Sequence, residues 1–410
     1  MYKHRIISER LRKLSAAFPC VVLSGARQVG KSTLVRHVFS GADCVVFDPV
    51  VDVGNARHDP DLFLDNHPSP IILDEIQYAP ELVAAVKRRI DRDRSSGQYI
   101  ITGSQQWSVM KSIAESLAGR AVFLNLEGFC LSEIYEQRVE RSWLERWLDD
   151  PDEVIAAPPK RPTTGRTLYE QLWRGWLPEA DRISLELIPD YYNAYVQTYI
   201  ERDVRMISDT ADWQQFGRFV RLAAALTGQE INYSQLGREL GLTPQTARRW
   251  LSTLSATFQW FEAPAYSGST VKRTSSKPKG YFADTGLVCA LQMLSSARSL
   301  SGHPLTGALF ETAVAGEIRK LGRVLGTPPT FYHWRSHGGA EVDIVLERDG
   351  VLYPIEVKLA SQPSGADARG LCAFRDAYQQ SRIAPGLVIS PTGAFAKISK
   401  NDYALPWDVL

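Results

Sequence analysis

The sequence has no paired cysteines. Its five, Cys20, Cys44, Cys130, Cys289 and Cys372, are isolated and odd in number, and no Cys-x-x-Cys occurs. That pattern speaks against a disulfide framework and against a thiolate zinc site, and it fits a reducing, cytoplasmic setting. Charge of one sign is also lacking, because 47 Lys and Arg face 46 Asp and Glu. Global charge therefore argues neither for nor against nucleic acid, and only local clusters can speak. No apolar run approaches the roughly 20 residues of a membrane span. The start Met1-Tyr2-Lys3-His4-Arg5 is basic, but no long apolar stretch follows it. Neither a membrane partner nor a secretory signal is expected. What remains is ordinary globular composition, 44% apolar over 410 residues, enough for two or three domains.

Against that plain background one stretch stands out, Gly25-Ala26-Arg27-Gln28-Val29-Gly30-Lys31-Ser32-Thr33. It fits the phosphate-binding pattern Gly-x4-Gly-Lys-Ser/Thr, with an apolar strand (Val21-Val22-Leu23) before it and a helix (Leu34 to Phe39) after it. Glycines let backbone N–H groups turn inward around phosphates, and the helix N-terminus adds positive partial charge. Lys31 is expected to hold the β- and γ-phosphates of ATP and Ser32 to ligate Mg²⁺. Cys44 to Asp48 reads as a second short strand, and Pro70 to Glu75 as a third that ends in two acids. Asp74 would hold Mg²⁺ through water, and Glu75 would orient or deprotonate the attacking water. The alternative, a strand end capped by solvated acids, loses ground because this strand lies some 40 residues after Lys31. A further strand ends in Thr102-Gly103-Ser104, where Thr102 or Ser104 would sense the γ-phosphate or simply make a turn. Arg120, just before the strand Ala121–Leu126, is a candidate arginine finger, with a salt bridge or helix cap as the duller option. A helix over residues 5–18 would pack on this domain. Strands alternating with helices predict a doubly wound α/β fold with a parallel sheet and the ligand at the strands' C-terminal edge. All these residues are expected at that edge.

The runs Gln28-Val29-Gly30-Lys31-Ser32-Thr33, Leu73-Asp74-Glu75-Ile76-Gln77, Thr102-Gly103-Ser104 and Leu117-Ala118-Gly119-Arg120 resemble a group of bacterial and archaeal AAA+ ATPases. In that group a further region of unknown function follows the ATPase. Leu177-Pro178-Glu179, Tyr199-Ile200-Glu201-Arg202-Asp203, Lys279 to Leu287, Glu341-Val342-Asp343 and Ile355-Glu356-Val357-Lys358 resemble that region, so the likeness covers nearly the whole chain. It implies ATP binding and supplies no biological role. One departure is Gly175-Trp176, where the group usually has two glycines.

Past the ATPase domain (1–165), residues 136–166 read as a surface insertion or linker, from the acidic Asp149-Asp150-Pro151-Asp152-Glu153 and the Pro-rich stretch Ala156 to Gly165. A helical connector (166–212) carries Trp173, Trp176, Tyr191, Tyr192, Tyr195 and Tyr199, read as helix packing rather than base stacking. Arg202 and Arg205 would end its last helix. Residues 213–298 read as a winged helix. Tyr233 to Gly241 is a first helix, Thr243 caps a second, and Pro244 takes its first position. The second helix would enter a major groove, and Lys272, Arg273, Lys277 and Lys279 form a basic wing for phosphate contacts. A role in packing or protein docking is the rival reading, so DNA and a protein are both allowed as partners, as is an oligomer.

The last domain, 299–410, holds a second constellation. Val342, Ile344 and Leu346 alternate with Glu341 and Asp343, as in a half-buried strand. Asp349-Gly350 is a hairpin turn, and Leu352 to Lys358 returns. If that turn is a two-residue loop, Asp343 falls opposite Glu356, where two carboxylates repel unless a cation sits between them. Hard Mg²⁺ suits such oxygens, and Lys358 would orient a water. The spacing Asp-x12-Glu-x-Lys resembles the PD-(D/E)XK nuclease fold, with Glu311 matching its helical acid. The resemblance implies a metal site of Glu311, Asp343 and Glu356, in an active nuclease or in an inactive domain kept for structure or binding.

Overall fold

In the computed structural model of the chain, the described residues are 2–103, 113, 115–162, 165–198, 213–269 and 276–410. Ser104, Tyr199, Arg202, Arg205, Lys272 and Arg273, singled out above, lie outside them.

The first sheet is parallel and has five strands, β1 (Cys20–Gly25), β2 (Asp43–Val46), β3 (Ile71–Asp74), β4 (Tyr99–Gly103) and β5 (Ala121–Leu126), in the order β2-β3-β4-β1-β5. The strands read from sequence fall on these within two residues. β1, β3 and β4 are buried along their whole length, which explains why they read as continuous apolar runs rather than alternating ones. Helices α1 (Ser8–Ala17), α2 (Lys31–Val38), α3 (Pro60–Asn66) and α4 (Leu82–Arg92) belong to this domain. Val21, Leu23, Ile72 and Ile100 pack with α1 and α2 through Leu11, Leu34 and Val35. Val22, Leu73 and Ile101 pack with α3 and α4 through Phe63, Val86 and Ile90. Each such buried aliphatic contributes about 1.5–3 kcal/mol.

Residues 136–166 are more than a linker. Trp143–Asp149 and Pro151–Ala156 are helices. Asp150 is the N-cap of the second, accepting from Asp152 N, and Pro151 is its first residue, so the very residues that read as loop punctuation start a helix. Trp143, Leu144, Trp147 and Leu148 are buried, Tyr353 Oη donates to Leu148 O at 2.7 Å, and Arg161 pairs with Asp408 at 2.7 Å. The segment is wedged between the first and last domains.

The next unit runs helix Trp213–Ala225, β6 (Gln229–Glu230), helices Tyr233–Glu239 and Pro244–Ala256, β7 (Trp260–Ala263) and β8 (Lys279–Phe282). Its small antiparallel sheet has the order β6-β8-β7. Thr243 accepts from Thr246 N at 3.1 Å with Pro244 next to it, the expected cap.

The last unit runs helix Thr306–Arg323, then β9 (Thr330–Arg335), β10 (Glu341–Arg348) and β11 (Val351–Val357), all antiparallel. Helix Arg369–Ala377 follows. β12 (Arg382–Ile383) and β13 (Gly386–Ser390) then pair in parallel with β11. β14 (Ala396–Lys397) and β15 (Asp402–Pro406) complete one edge, giving the order β14-β15-β13-β11-β10-β9. The hairpin turn is as expected, with Asp349 and Gly350 at φ 53° and 74°, and Arg348 faces Val351. β10 is not half-buried. A register shift against β9 falls between Val342 and Val345, which puts both in one cluster with Leu371 and Phe374. Ile344 and Leu346 pack on the other side with Leu309 and Phe310. Helices cover both faces, so the alternation of polar and apolar residues does not mark a solvated side.

Candidate functional site

The phosphate loop leaves β1 at Gly25 and enters α2 at Lys31. A Cβ on Gly25 would stand 2.1 Å from Leu126 O, so only glycine lets β5 approach the loop this closely. Gly30 turns the chain into the helix with φ 91°, and Gln28 also takes a left-handed φ of 62°. Val29 is buried, Ala26 nearly so, Arg27 and Ser32 are half-buried, and Gln28 and Thr33 face solvent. Lys31 is buried and donates to Gly25 O at 2.9 Å and Ala26 O at 2.8 Å, so its ammonium lies inside the loop.

β4 lies between β1 and the acid strand β3, so Thr102 at its tip is placed beside both acids. Thr102 is fully buried, donates from Oγ1 to Asp74 Oδ1 and accepts from Glu75 N at 3.2 Å. Asp74 is buried at the strand end. Glu75 follows it at φ 61°, a left-handed conformation costly for a residue with a Cβ, and accepts from the Gln77 amide. Such strain persists where the surroundings impose it. The residues expected to hold ATP and Mg²⁺ through Lys31, Ser32 and Asp74 therefore converge, and the donor set fits: one buried ammonium, a hydroxyl on the first helical turn and one buried carboxylate.

Arg120 does not converge with them. It precedes β5, whose first residue Ala121 pairs with Cys20 at the start of β1, so it stands at the opposite edge of the parallel sheet. There it makes a two-pronged contact with Asp91 of α4, at 2.6 and 3.0 Å. An arginine finger for its own nucleotide is excluded by that placement. The expectation that all the named residues share one edge failed because Arg120 enters its strand where the others leave theirs.

Arg5 received no role from sequence. Its side chain donates to Val29 O at 2.7 Å and Glu127 O at 2.6 Å, pairs with Glu133 at 3.0 Å and lies over the Phe129 ring. It thereby braces the phosphate loop against the segment after β5. Tyr191, on helix Ile188–Thr198, donates to Gln28 Oε1 at 2.7 Å from the other side. Between them a cavity of 590 Å³ opens beside Gly30 and Thr33, walled by Lys3, Pro178, Arg182 and Tyr191. Nearby, Gly175 takes φ 76° and a Cβ there would lie 2.2 Å from Tyr192 Oη. Trp176 tolerates its departure because that position needs a backbone N–H, donated to Asp284 at 2.7 Å, and not a bare Cα.

The second constellation is brought together, but around lysines. The register Ile344 opposite Ile355 sets Asp343 across from Glu356. Lys279 of β8 lies 2.7 Å from Glu311 Oε1 and 3.1 Å from Asp343 Oδ1. Tyr281 donates to Glu311 at 2.7 Å. Val357 N donates to Asp343 Oδ2 at 2.9 Å, and Lys358 is 2.8 Å from Glu356 and 3.6 Å from Asp343. Burial and the neighbouring Asp343 push the Glu311 carboxyl up to about 7. Glu356 is raised by the same two causes, while Lys279 and Lys358 hold Asp343 low against its own burial. Among the described residues no group of three or more His, Cys, Asp or Glu is disposed to hold a metal ion. The expected metal set of Glu311, Asp343 and Glu356 is thus corrected: the cations that relieve its repulsion are Lys279 and Lys358. Lys279, expected as a solvated wing cation, is buried.

The loop, the acid strand and the strand between them have the arrangement of a P-loop nucleotide-binding domain. Residues 17–135 match the family profile of an AAA domain. Residues 165–298 match a domain of unknown function (DUF8612), and residues 306–410 another (DUF4143). An uncharacterized protein of Mycobacterium tuberculosis and one of Mycobacterium bovis are each 29% identical over all 410 residues, which cover 84% of either relative. Among solved structures, the Walker-type ATPase of Pyrococcus abyssi aligns with 71% of this chain and 96% of its own at 15% identity, TM-score 0.45. AMPPCP-bound DnaA from Aquifex aeolicus aligns with 61% and 86% at 10% identity, TM-score 0.28. Neither score reaches one half, so neither likeness bears on function. No described helix is long and apolar enough to cross a membrane.

Proposed function

We propose that the chain is an ATP-hydrolysing switch whose winged helix associates with DNA and whose C-terminal domain has a nuclease-like fold. The observation that carries the ATPase reading is Thr102 joining Asp74 to Glu75 at one edge of the sheet with Lys31. With ATP bound, Lys31 turns from the loop carbonyls to the β- and γ-phosphates. Ser32 and Asp74 would hold Mg²⁺, which supplies charge neutralisation at the phosphates. Glu75 orients the attacking water, and Thr102 fixes both acids relative to the loop. The cavity beside Thr33 and Pro178 has the size and the apolar wall for a purine base. The test is ATP turnover by the purified full chain. Glu75→Gln is expected to keep ATP binding and lose at least about 100-fold in turnover, in line with general-base losses. Lys31→Ala is expected to lose binding as well. Unchanged turnover in Glu75→Gln sinks the assignment.

Three features support DNA association. The order helix, strand, helix, helix, strand, strand with sheet order β6-β8-β7 is that of a winged helix. Helix Pro244–Ala256 exposes Gln245, Arg248, Arg249 and Ser252 along one face. Local charge is positive even without the buried Lys279: residues 213–298 hold Arg218, Arg221, Arg238, Arg248, Arg249, Lys272, Arg273, Lys277 and Arg298 against Glu230, Glu239, Glu262 and Asp284. Fluorescence anisotropy with duplex DNA at several salt concentrations tests this. Arg248→Ala/Arg249→Ala is expected to weaken binding and to lower the salt slope by about two. Binding absent at low salt would leave the winged helix as a protein-docking module.

In the last domain, the order helix, three antiparallel strands, helix, parallel strand supports the PD-(D/E)XK-like reading. Because Lys279 and Lys358 already lie against its acids, the chain is a switch carrying this fold and not a metal-dependent nuclease.

A further inference from the structure

The nuclease-like fold calls for a divalent cation among Glu311, Asp343 and Glu356, and the residues present do not fit one. Four observations carry this. First, the Lys279 ammonium takes the space between Glu311 and Asp343, at 2.7 and 3.1 Å. Magnesium would need the same oxygens at about 2.0–2.1 Å, and ion and ammonium cannot share that space. Second, the other oxygen of Asp343 accepts from Val357 N at 2.9 Å, and Glu311 Oε1 also accepts from Tyr281 Oη at 2.7 Å. Third, one side of the cluster is closely packed. Helix Arg369–Ala377 packs so closely that a Cβ on Gly370 would lie 2.1 Å from Glu356 Oε1 and 2.0 Å from Glu341 O. Fourth, ammonium groups already stand where a metal's charge would act: Lys279 lies against Glu311 and Asp343, and Lys358 lies 2.8 Å from Glu356 and 3.6 Å from Asp343. A dication added beside these two buried or half-buried ammonium groups would meet like charge, which is expensive.

Lys279 and Tyr281 are alternate residues of β8, so they point to one side of that strand, and both reach Glu311. β8 is also the central strand of the winged-helix sheet. We infer that Lys279 replaces the metal of the nuclease-like fold, so that the C-terminal acid cluster is the socket into which the winged helix is fastened and not a catalytic centre. This rests on the nuclease-like reading of the C-terminal domain. The consequence is that the winged helix and the C-terminal domain move as one body, and ATP hydrolysis acts on both together.

The test is Mn²⁺ binding followed by electron paramagnetic resonance on the full chain carrying Ser32→Ala and Asp74→Ala, which silence the ATP site. With Lys279 present, no bound Mn²⁺ is expected. Lys279→Met keeps the stem and removes the ammonium; it is expected to gain a single Mn²⁺ that Asp343→Asn removes again, and to melt higher when Mn²⁺ is added. Mn²⁺ bound with Lys279 in place, and lost on Asp343→Asn, overturns the inference while leaving the nuclease-like fold standing. No gain in a folded Lys279→Met sinks the inference and the fold reading beneath it. Should Lys279→Met not fold, Lys279→Gln takes its place, and the comparison with Lys279 present still decides.

Discussion

At the scale of single residues, the ATP site depends on where a side chain enters or leaves its strand. Asp74 ends its strand, Thr102 lies one residue before the end of its own, and Lys31 follows the end of another, so three distant stretches meet at one edge. Arg120 begins a strand and lands at the other edge, paired with Asp91. An exposed pair of this kind, screened by solvent, contributes little to stability. Arg120→Ala is therefore expected to leave ATP turnover and the melting temperature close to wild type. A loss in turnover that grows with protein concentration would instead reveal Arg120 acting across a subunit contact.

At the scale of elements, the β10–β11 hairpin and helix Thr306–Arg323 bury carboxyls whose protonation differs between folded and unfolded chain. Glu311, facing Lys279, Tyr281 and Asp343, is raised from 4.5 to about 7, and Glu356, facing Asp343 and Lys358, is raised as well; Glu341 acts on Lys279, Tyr281 and Lys358. A raised folded value means the native state binds protons that the unfolded chain has released. The stability these two groups supply is complete below the unfolded value and is lost as pH climbs through the folded one. The melting temperature is expected to fall between about pH 5 and about pH 8, and Glu356→Gln, which mimics the protonated acid, should flatten that fall. A pH profile in the variant that is as steep as in wild type would show that Glu356 plays no part.

At the scale of the whole molecule, the segment following β5 ties the domains together. Glu127 binds Arg319 at 2.7 Å and Arg323 at 2.8 Å. Leu131 N donates to Glu317 at 3.0 Å, and Lys320 donates to Phe129 O at 2.6 Å. All four side chains sit on helix Thr306–Arg323, which also carries Glu311. Arg319 lies 3.9 Å over the Phe261 ring of β7. One helix thus touches the segment after β5, the small three-stranded sheet and the acid cluster. Removing one member of a buried ion pair costs about 3–5 kcal/mol because the other charge is left stranded. Glu127→Gln is expected to lower the melting temperature of the full chain, since Arg319 and Arg323 would face each other without a counter-charge; an unchanged melt would show the domains hold by apolar packing alone.

Much of this was legible in the sequence, and the legible part has a common character. The phosphate loop, the acid strand, the capped helix at Thr243 and the hairpin at Asp349-Gly350 are set by contiguous residues whose backbone needs are local. Counting from a two-residue turn was enough to set Asp343 opposite Glu356, because strand pairing is periodic. The helices at 143–156 were missed because an N-cap Asp followed by Pro reads the same in a loop as at a helix start. The bulge in β10 was missed because strict alternation was assumed through it. Only the tertiary structure decided which edge Arg120 occupies, that Arg5 braces the phosphate loop, and that Lys279 lies between Glu311 and Asp343. Those facts join residues from 24 to more than 120 positions apart, and no local pattern records them. The charge of Lys279 was plain from its letter. That it faces buried carboxylates and not solvent depends on strand β8 docking against helix Thr306–Arg323, and packing between domains is the one thing that sequence periodicity leaves open.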